Sequence, residues 1–322
     1  MKHTATRFFI FVILLIAFAQ ASQAEKHSIH SINTMELDDS AYARKTISFK
    51  AETALLQSKN VVTENSKKVM DAFLTDLCNA SPGKSEYEDA NLFILKPSKI
   101  KSIESYIDEN GSKILLKSIA LNEKGQPTLI KLYSMDGAES GATRFVYTNG
   151  MLTGIEYRED LKYTVKYNNY KMILFCNNAD FAETTEVWIE NQMLLSNIYF
   201  LMVDDADCYS NSFAEEKNEN NCYVDYYNGK IWTRNCSSKI DVFPYVNEYT
   251  SYQDGEVLQH RKTRIVKKDE QTFEKYYSEE EKGEDYKLWG TFKLNEQKLV
   301  TTYTFTKGNT TKVLKIDYTY YP

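Results

Sequence analysis

Two hydrophobic periods divide the chain. Between Thr63 and Cys78 the apolar positions are Val69, Met70, Phe73, Leu74 and Leu77, a spacing of three and four that marks one face of a helix. Thr63 stands at an N-cap position, and Asn79-Ala80-Ser81-Pro82-Gly83 supplies the stop. After about Asn91 the period falls to two. Leu161, Tyr163, Val165 and Tyr167 alternate with Lys162, Thr164 and Lys166, giving a strand one apolar and one wet face. Val300 to Phe305 and Lys315 to Tyr320 alternate in the same way.

The punctuation between these runs sets the topology. Gly111, Gly137, Gly150, Gly229 and Gly255 each directly follow Asn or Asp, the dipeptides of tight hairpin turns because both turn residues take positive φ. Gly111, Gly125, Gly137 and Gly150 recur at steps of 14, 12 and 13 residues, one strand plus one turn. The expectation is a mainly β chain: a long antiparallel meander of roughly 14 strands, with turns at Asn110-Gly111, Asn149-Gly150, Asn228-Gly229 and Asp254-Gly255. A sheet of that length curls into a half-barrel or barrel-like form, or splits into two packed sheets. The Thr63 to Cys78 helix is then available to pack on its apolar face. The polar stretch 204–221 interrupts the rhythm and reads as a long loop or a lobe boundary, with one continuous sheet the favoured reading.

Tyr147-Thr148-Asn149-Gly150-Met151-Leu152-Thr153-Gly154-Ile155 resembles the YD (RHS-type) repeats, tandem β-hairpins of secreted proteins. Tyr226-Tyr227-Asn228-Gly229-Lys230-Ile231 and Tyr252-Gln253-Asp254-Gly255-Glu256-Val257 are looser echoes. The resemblance covers about a third of the chain and implies an array of hairpins. It lacks the Asp after Tyr and the Arg usual in those repeats.

Composition narrows the function classes. Lys2 and Arg7, the apolar run Phe8 to Ala19 and the small-residue end Ser22-Gln23-Ala24 have the order of a secretory leader over 1–24. The run is too short for the roughly 20 residues of a membrane span. A polar segment, 25–60, and one β-rich domain, 61–322, follow. Losing Lys2 and Arg7 takes the net charge from −6 to −8, which argues against nucleic acid as a partner. No glycine-rich phosphate loop is present, which argues against a nucleotide. No later segment reads as a transmembrane helix.

Catalytic constellations are sparse. His260 is the one histidine within the strand region and reads as the wet face of a strand; His27 and His30 lie in the polar segment. Glu156 and Asp225 sit beside strand aromatics, but a glycosidase pair must face across a cleft, and solvated strand charges are the plainer reading. Asp204, Asp205 and Asp207, with Ser210 and Asn211, offer hard oxygen ligands for calcium without the EF-hand spacing. Tyr163, Tyr167, Tyr303 and Tyr318 are candidate ligand-facing aromatics, with core packing as the alternative.

Cysteines form the most informative cluster. With 204–221 as a loop, the meander brings Cys176, Cys208, Cys222 and Cys236 to one rim, where an exported protein forms disulfides. Cys222 with Cys236 needs a register irregularity, because a two-residue turn pairs 222 with 235. Cys78 remains as a buried thiol. The expectation is a non-catalytic, exported (periplasmic or secreted) binding or structural protein without a cofactor. Its partner would be a glycan, a protein or an apolar ligand. A carrier with an apolar cavity and an outer-membrane barrel are the alternatives.

Overall fold

A computed structural model describes residues 60–79, 99–109, 112–158, 161–177, 181–190, 193–202, 208–217, 220–227, 229–238, 243–253, 255–278, 285–307 and 310–322. The leader, His27, His30, Asp204, Asp205, Asp207, Asn110, Gly111, Asn228 and Asp254 lie outside the described residues.

Helix α1 (Glu64–Asn79) precedes eighteen strands in one antiparallel sheet. These are β1 (Ile100–Glu109), β2 (Ser112–Leu121), β3 (Pro127–Tyr133), β4 (Glu139–Thr148), β5 (Met151–Arg158) and β6 (Leu161–Asn168). Next come β7 (Lys171–Asn177), β8 (Phe181–Glu190), β9 (Met193–Met202), β10 (Cys208–Lys217), β11 (Asn220–Tyr227) and β12 (Lys230–Ser237). The last six are β13 (Tyr245–Gln253), β14 (Glu256–Lys267), β15 (Thr272–Ser278), β16 (Lys287–Leu294), β17 (Val300–Lys307) and β18 (Thr310–Tyr320). Each strand pairs with the next, and β1 pairs with β18 as well as β2, so the ends of the meander meet. Ile103 faces Tyr318 on one side and Ile119 on the other. Pairing the first strand to the last leaves no exposed ladder for edge-to-edge association.

Turn chemistry follows the sequence where it is described. Asn149 (φ 53°) and Gly150 (φ 79°) both take positive φ between β4 and β5, the geometry of a type I′ hairpin. The strand count exceeds the expected 14 for two reasons. The β6–β7 turn contains no glycine, since Asn169 itself adopts φ 48°. The polar stretch read as a loop contains β10, which pairs with both β9 and β11.

Burial separates the two faces along β6. Leu161, Tyr163, Val165 and Tyr167 are buried while Lys162 and Thr164 are exposed. The outer face carries cross-strand ion pairs: Lys113 to Glu104 (3.0 Å) and Asp317 (3.3 Å), Lys315 to Asp108 (2.7 Å), and Lys131 to Glu139 (2.7 Å). A ring of eighteen strands is wider than side chains alone fill, as in porin-sized barrels. Here α1 packs on the inner wall against β3, β5, β7, β8 and β9. Val69, Met70, Phe73, Leu74 and Leu77 join the core.

Both ends of α1 are tied down. The Ser66 amide donates to Thr63 Oγ1 (3.2 Å) and the Thr63 amide to Ser66 Oγ (2.8 Å), a reciprocal N-terminal cap. The Val61 amide donates to the Tyr167 carbonyl (2.9 Å). At the far end buried Lys117 donates from Nζ to the Cys78 carbonyl (2.9 Å), an amine at the negative end of the helix dipole.

Gly290 marks a close approach. A Cβ there would lie 2.5 Å from Tyr303 Cε2 and 2.7 Å from the Thr304 carbonyl oxygen. Phe292 and Tyr303 stack beside it with centroids 4.4 Å apart. Gly290→Ala should therefore destabilise the protein by about 1–3 kcal/mol through overpacking. Urea titration checks this, and an unchanged midpoint would contradict the packing.

Candidate functional site

The inner wall has two chemical halves. From β5 to β8 its residues are Ile155, Tyr163, Val165, Tyr167, Met172, Leu174 and Val187, all buried in the core. Across β11 to β15 the register sets out a different surface. Asp225, Thr233, Ser251 and Gln259 form one row across the strands. Asn235, Tyr249 and Arg261 form the next, and Asn247, Thr263 and Tyr277 a third. One step further, Tyr245 and Ile265 pair and join the apolar core, which fixes this face as the inner one.

None of these ten positions is aliphatic. Thr233 and Asn235 are each 3% exposed and Tyr249 7%. Their polar groups interlock: Thr233 Oγ1 donates to Asp225 Oδ2 (2.7 Å), and Asn247 Nδ2 donates to Asn235 Oδ1 (2.8 Å). The Arg261 guanidinium lies 5.8 Å from the Tyr277 ring centroid, within cation–π range. Arg261 Nε is buried and has no hydrogen-bond partner among the described residues. Burying polar atoms is costly unless they are hydrogen-bonded, and these rows are polar or aromatic throughout, whereas the opposite half is mostly apolar with Glu183 and Thr185 among its inward residues. Among the described residues α1 is the one helix, and its packing is on the other half. The rows combine hydroxyl, amide, carboxylate and guanidinium groups with phenol rings.

Sequence reasoning missed this wall because it searched for apolar–polar alternation. In β13 polar residues fall on both faces, with Asn247 and Ser251 inward and Glu248 and Thr250 alternating with them. A strand that stays polar on both faces is the signal that could have found it.

The aromatic candidates belong to the core instead. Tyr163, Tyr167 and Tyr303 are buried, and Tyr318 packs against the same cluster. Tyr167 donates to the Leu152 carbonyl (2.9 Å) and Tyr318 to the Val300 carbonyl (2.8 Å). Tyr163 donates to Glu183 Oε2 (2.6 Å), whose other oxygen accepts from Thr185 (2.8 Å). Glu183 is fully buried, and burial pushes its carboxyl up to about 8, against the opposing pull of those two hydrogen bonds. Burial likewise lowers the Lys117 amine to about 8 and raises the Cys78 thiol to about 12.

The remaining candidates are separated. Asp225 lies on the inner wall, whereas Glu156 pairs across strands with Lys162 at 3.8 Å on the outer face. They do not face across a cleft. His260 is not on a wet surface: its side chain is 10% exposed, and Nε2 lies 2.7 Å from Glu248 Oε1. Its Nδ1 is buried without a hydrogen-bond partner among the described residues. No group of three or more metal-ligating side chains occurs among the described residues.

Cys222 and Cys236 form a disulfide, and they are register partners because the ladder shifts between Asp225 and Tyr226. Strand β10 corrects the expected rim. It reverses the chain once more, so Cys222 and Cys236 lie at the opposite end of the sheet from Cys176 and Cys208. Cys176 also faces inward, opposite Glu183. It is a buried thiol, as is Cys78; the Cys208 side chain lies outside the described residues. The bridge spans 14 residues and should contribute about 3 kcal/mol by constraining the unfolded chain. Reduction should lower the midpoint of chemical unfolding accordingly. Peptide mapping after alkylation under denaturing, non-reducing conditions should label Cys78 and Cys176, and label at Cys222 would contradict the bridge.

No family model and no curated protein matches the chain. Among solved structures, it is similar to a porin-like protein from Bacteroides uniformis ATCC 8492 at 8% identity and a TM-score of 0.34, covering 69% of this chain and 99% of that one.

Proposed function

We propose that the protein is an exported, non-catalytic binding protein that takes a ligand against the polar inner wall of β11–β15. The observation that carries this reading is the wall itself: three rows of polar and aromatic side chains facing inward, with the Arg261 Nε donor unsatisfied. The Cys222–Cys236 disulfide supports an oxidising compartment, periplasmic or extracellular.

The two alternative readings are less well supported. A carrier of an apolar molecule needs an apolar cavity, and α1 packs against the apolar half. A membrane-embedded barrel needs an uncharged outer band, whereas the outer face here carries Glu104, Asp108, Lys113, Lys131, Asp317 and Lys315 in ion pairs.

Replacing both members of the Asn235–Asn247 hydrogen bond by Leu tests the binding reading. Circular dichroism establishes that the variant folds. Small molecules from the host's culture medium retained by the immobilised wild-type protein should then be lost. Equal retention by the variant would remove the wall from function.

A further inference from the structure

Two neighbouring hairpins repeat one design. After the turn glycine comes a charged residue, then an aliphatic one, then a large apolar one: Gly229-Lys230-Ile231-Trp232 and Gly255-Glu256-Val257-Leu258. Both glycines take positive φ, 78° and 87°, and the pairing of β12 with β13 sets the hairpins side by side. In each hairpin the ladder slips by one residue at the same place. Asp225 pairs with Thr233 but Tyr226 with Ile231; Ser251 pairs with Gln259 but Tyr252 with Val257. Trp232 and Leu258 are therefore the extra residues of two equivalent bulges, and a bulge re-aims the side chain it carries.

The outcome is an apolar patch open to solvent. Leu258 is 66% exposed, Trp232 50%, Val257 49% and Tyr227 38%. Trp232 and Tyr252 each stand one step beyond the inward pair Thr233–Ser251, so both face outward. Single exposed apolar residues need no explanation, but a cluster on the order of a few hundred Å² marks a contact site.

Charge selects the occupant. Lys230 and Glu256 hold the same place in the two hairpins, are both exposed, and have opposite signs. A partner of uniform charge would match one hairpin and oppose the other. A two-fold axis that exchanges the hairpins matches both: it sets each Lys230 against the Glu256 of the other copy and each Trp232 against the other Leu258. That is the self-complementary contact of a closed dimer. We propose that the tips of β11–β12 and β13–β14 are the interface of a two-fold homodimer, with a second copy of this chain covering Trp232 and Leu258. A few hundred Å² per copy falls short of the roughly 800 Å² per partner of standard stable interfaces. The dimer therefore exchanges with monomer and assembles in the micromolar range or above.

The test is sedimentation velocity on the full mature protein from about 1 to about 500 μM, in about 0.15 M salt to screen the repulsion between acidic copies. Wild type should shift from monomer to dimer mass across that range. Leu258→Asp should weaken association at least about tenfold, the cost of a charge in the centre of the contact. Lys230→Glu and Glu256→Lys should each weaken it about fivefold, since the two-fold repeats every lost ion pair. The double variant Lys230→Glu, Glu256→Lys restores both pairs and should associate like wild type. These side chains are exposed, so all four variants should keep the wild-type unfolding midpoint. Monomer mass throughout the range, a dimer that Leu258→Asp leaves intact, or a double variant as weak as the single ones would overturn the proposal.

Discussion

Phe73→Asp should unfold the protein or destabilise it by at least about 4 kcal/mol, the sum of a lost aromatic side chain and an unpaired buried charge. Phe73 is 0% exposed at the centre of the α1 face that meets the inner wall. The change therefore strikes both the helix and the strands it fills, and total stabilities of domains are only about 5–15 kcal/mol. Lys68→Asp, on the exposed face of the same helix, should stay within about 0.5 kcal/mol of wild type. Thermal or urea unfolding of both variants checks the pair. A Phe73→Asp protein as stable as Lys68→Asp would show that α1 does not occupy the barrel.

Stability should also fall as pH rises from about 5 to 8. Glu183 is held protonated in the folded protein up to about 8, because burial raises its carboxyl above the ordinary value of 4.5. The unfolded chain loses that proton first, so the contribution is complete below pH 4.5 and is lost as pH passes through the folded value. The linked change amounts to at most about 5 kcal/mol. Lys117 acts in the opposite sense above that window: its folded value is lowered to about 8 from 10.5, so its contribution returns as pH rises between the two. Urea midpoints measured across pH 5 to 8 should decline for wild type and stay nearly flat for Glu183→Gln. A wild-type profile as flat as the variant's would place Glu183 in contact with water.

What the sequence made legible was whatever repeats with a fixed period. The α1 face from Val69 to Leu77 and the β6 alternation were readable because one side of each element is apolar. The Asn149-Gly150 turn was readable because its backbone demands those residue types. Strand β10 was not, because Cys208 to Lys217 carries Ser, Asn, Glu and Lys where alternation would be sought, and its place is set by pairing with β9 and β11. That single omission displaced the cysteine rim by one strand reversal. The register shift needed to bring Cys222 opposite Cys236 was nevertheless foreseeable from the two-residue turn alone.

The polar wall was hidden for the same reason as β10. Inward Asn235, Asn247 and Arg261 look like solvent-facing residues until the register shows that Tyr245 and Ile265 stand on their side of the sheet. Conversely, Tyr163 and Tyr303 resembled a ligand-stacking stripe and proved to be packing residues. A tyrosine in a strand announces burial or binding equally, and only its neighbours decide.

A barrel with ion pairs along the outer face of β1–β4 and β18 should not enter a bilayer. Flotation on a density gradient with phosphatidylethanolamine–phosphatidylglycerol vesicles, using mature protein purified without detergent, tests it most directly. The account predicts a monodisperse protein that stays at the bottom of the gradient, its disulfide intact, while the vesicles rise. Protein that requires detergent to remain dispersed, or that rises with the vesicles and resists carbonate extraction, would contradict it.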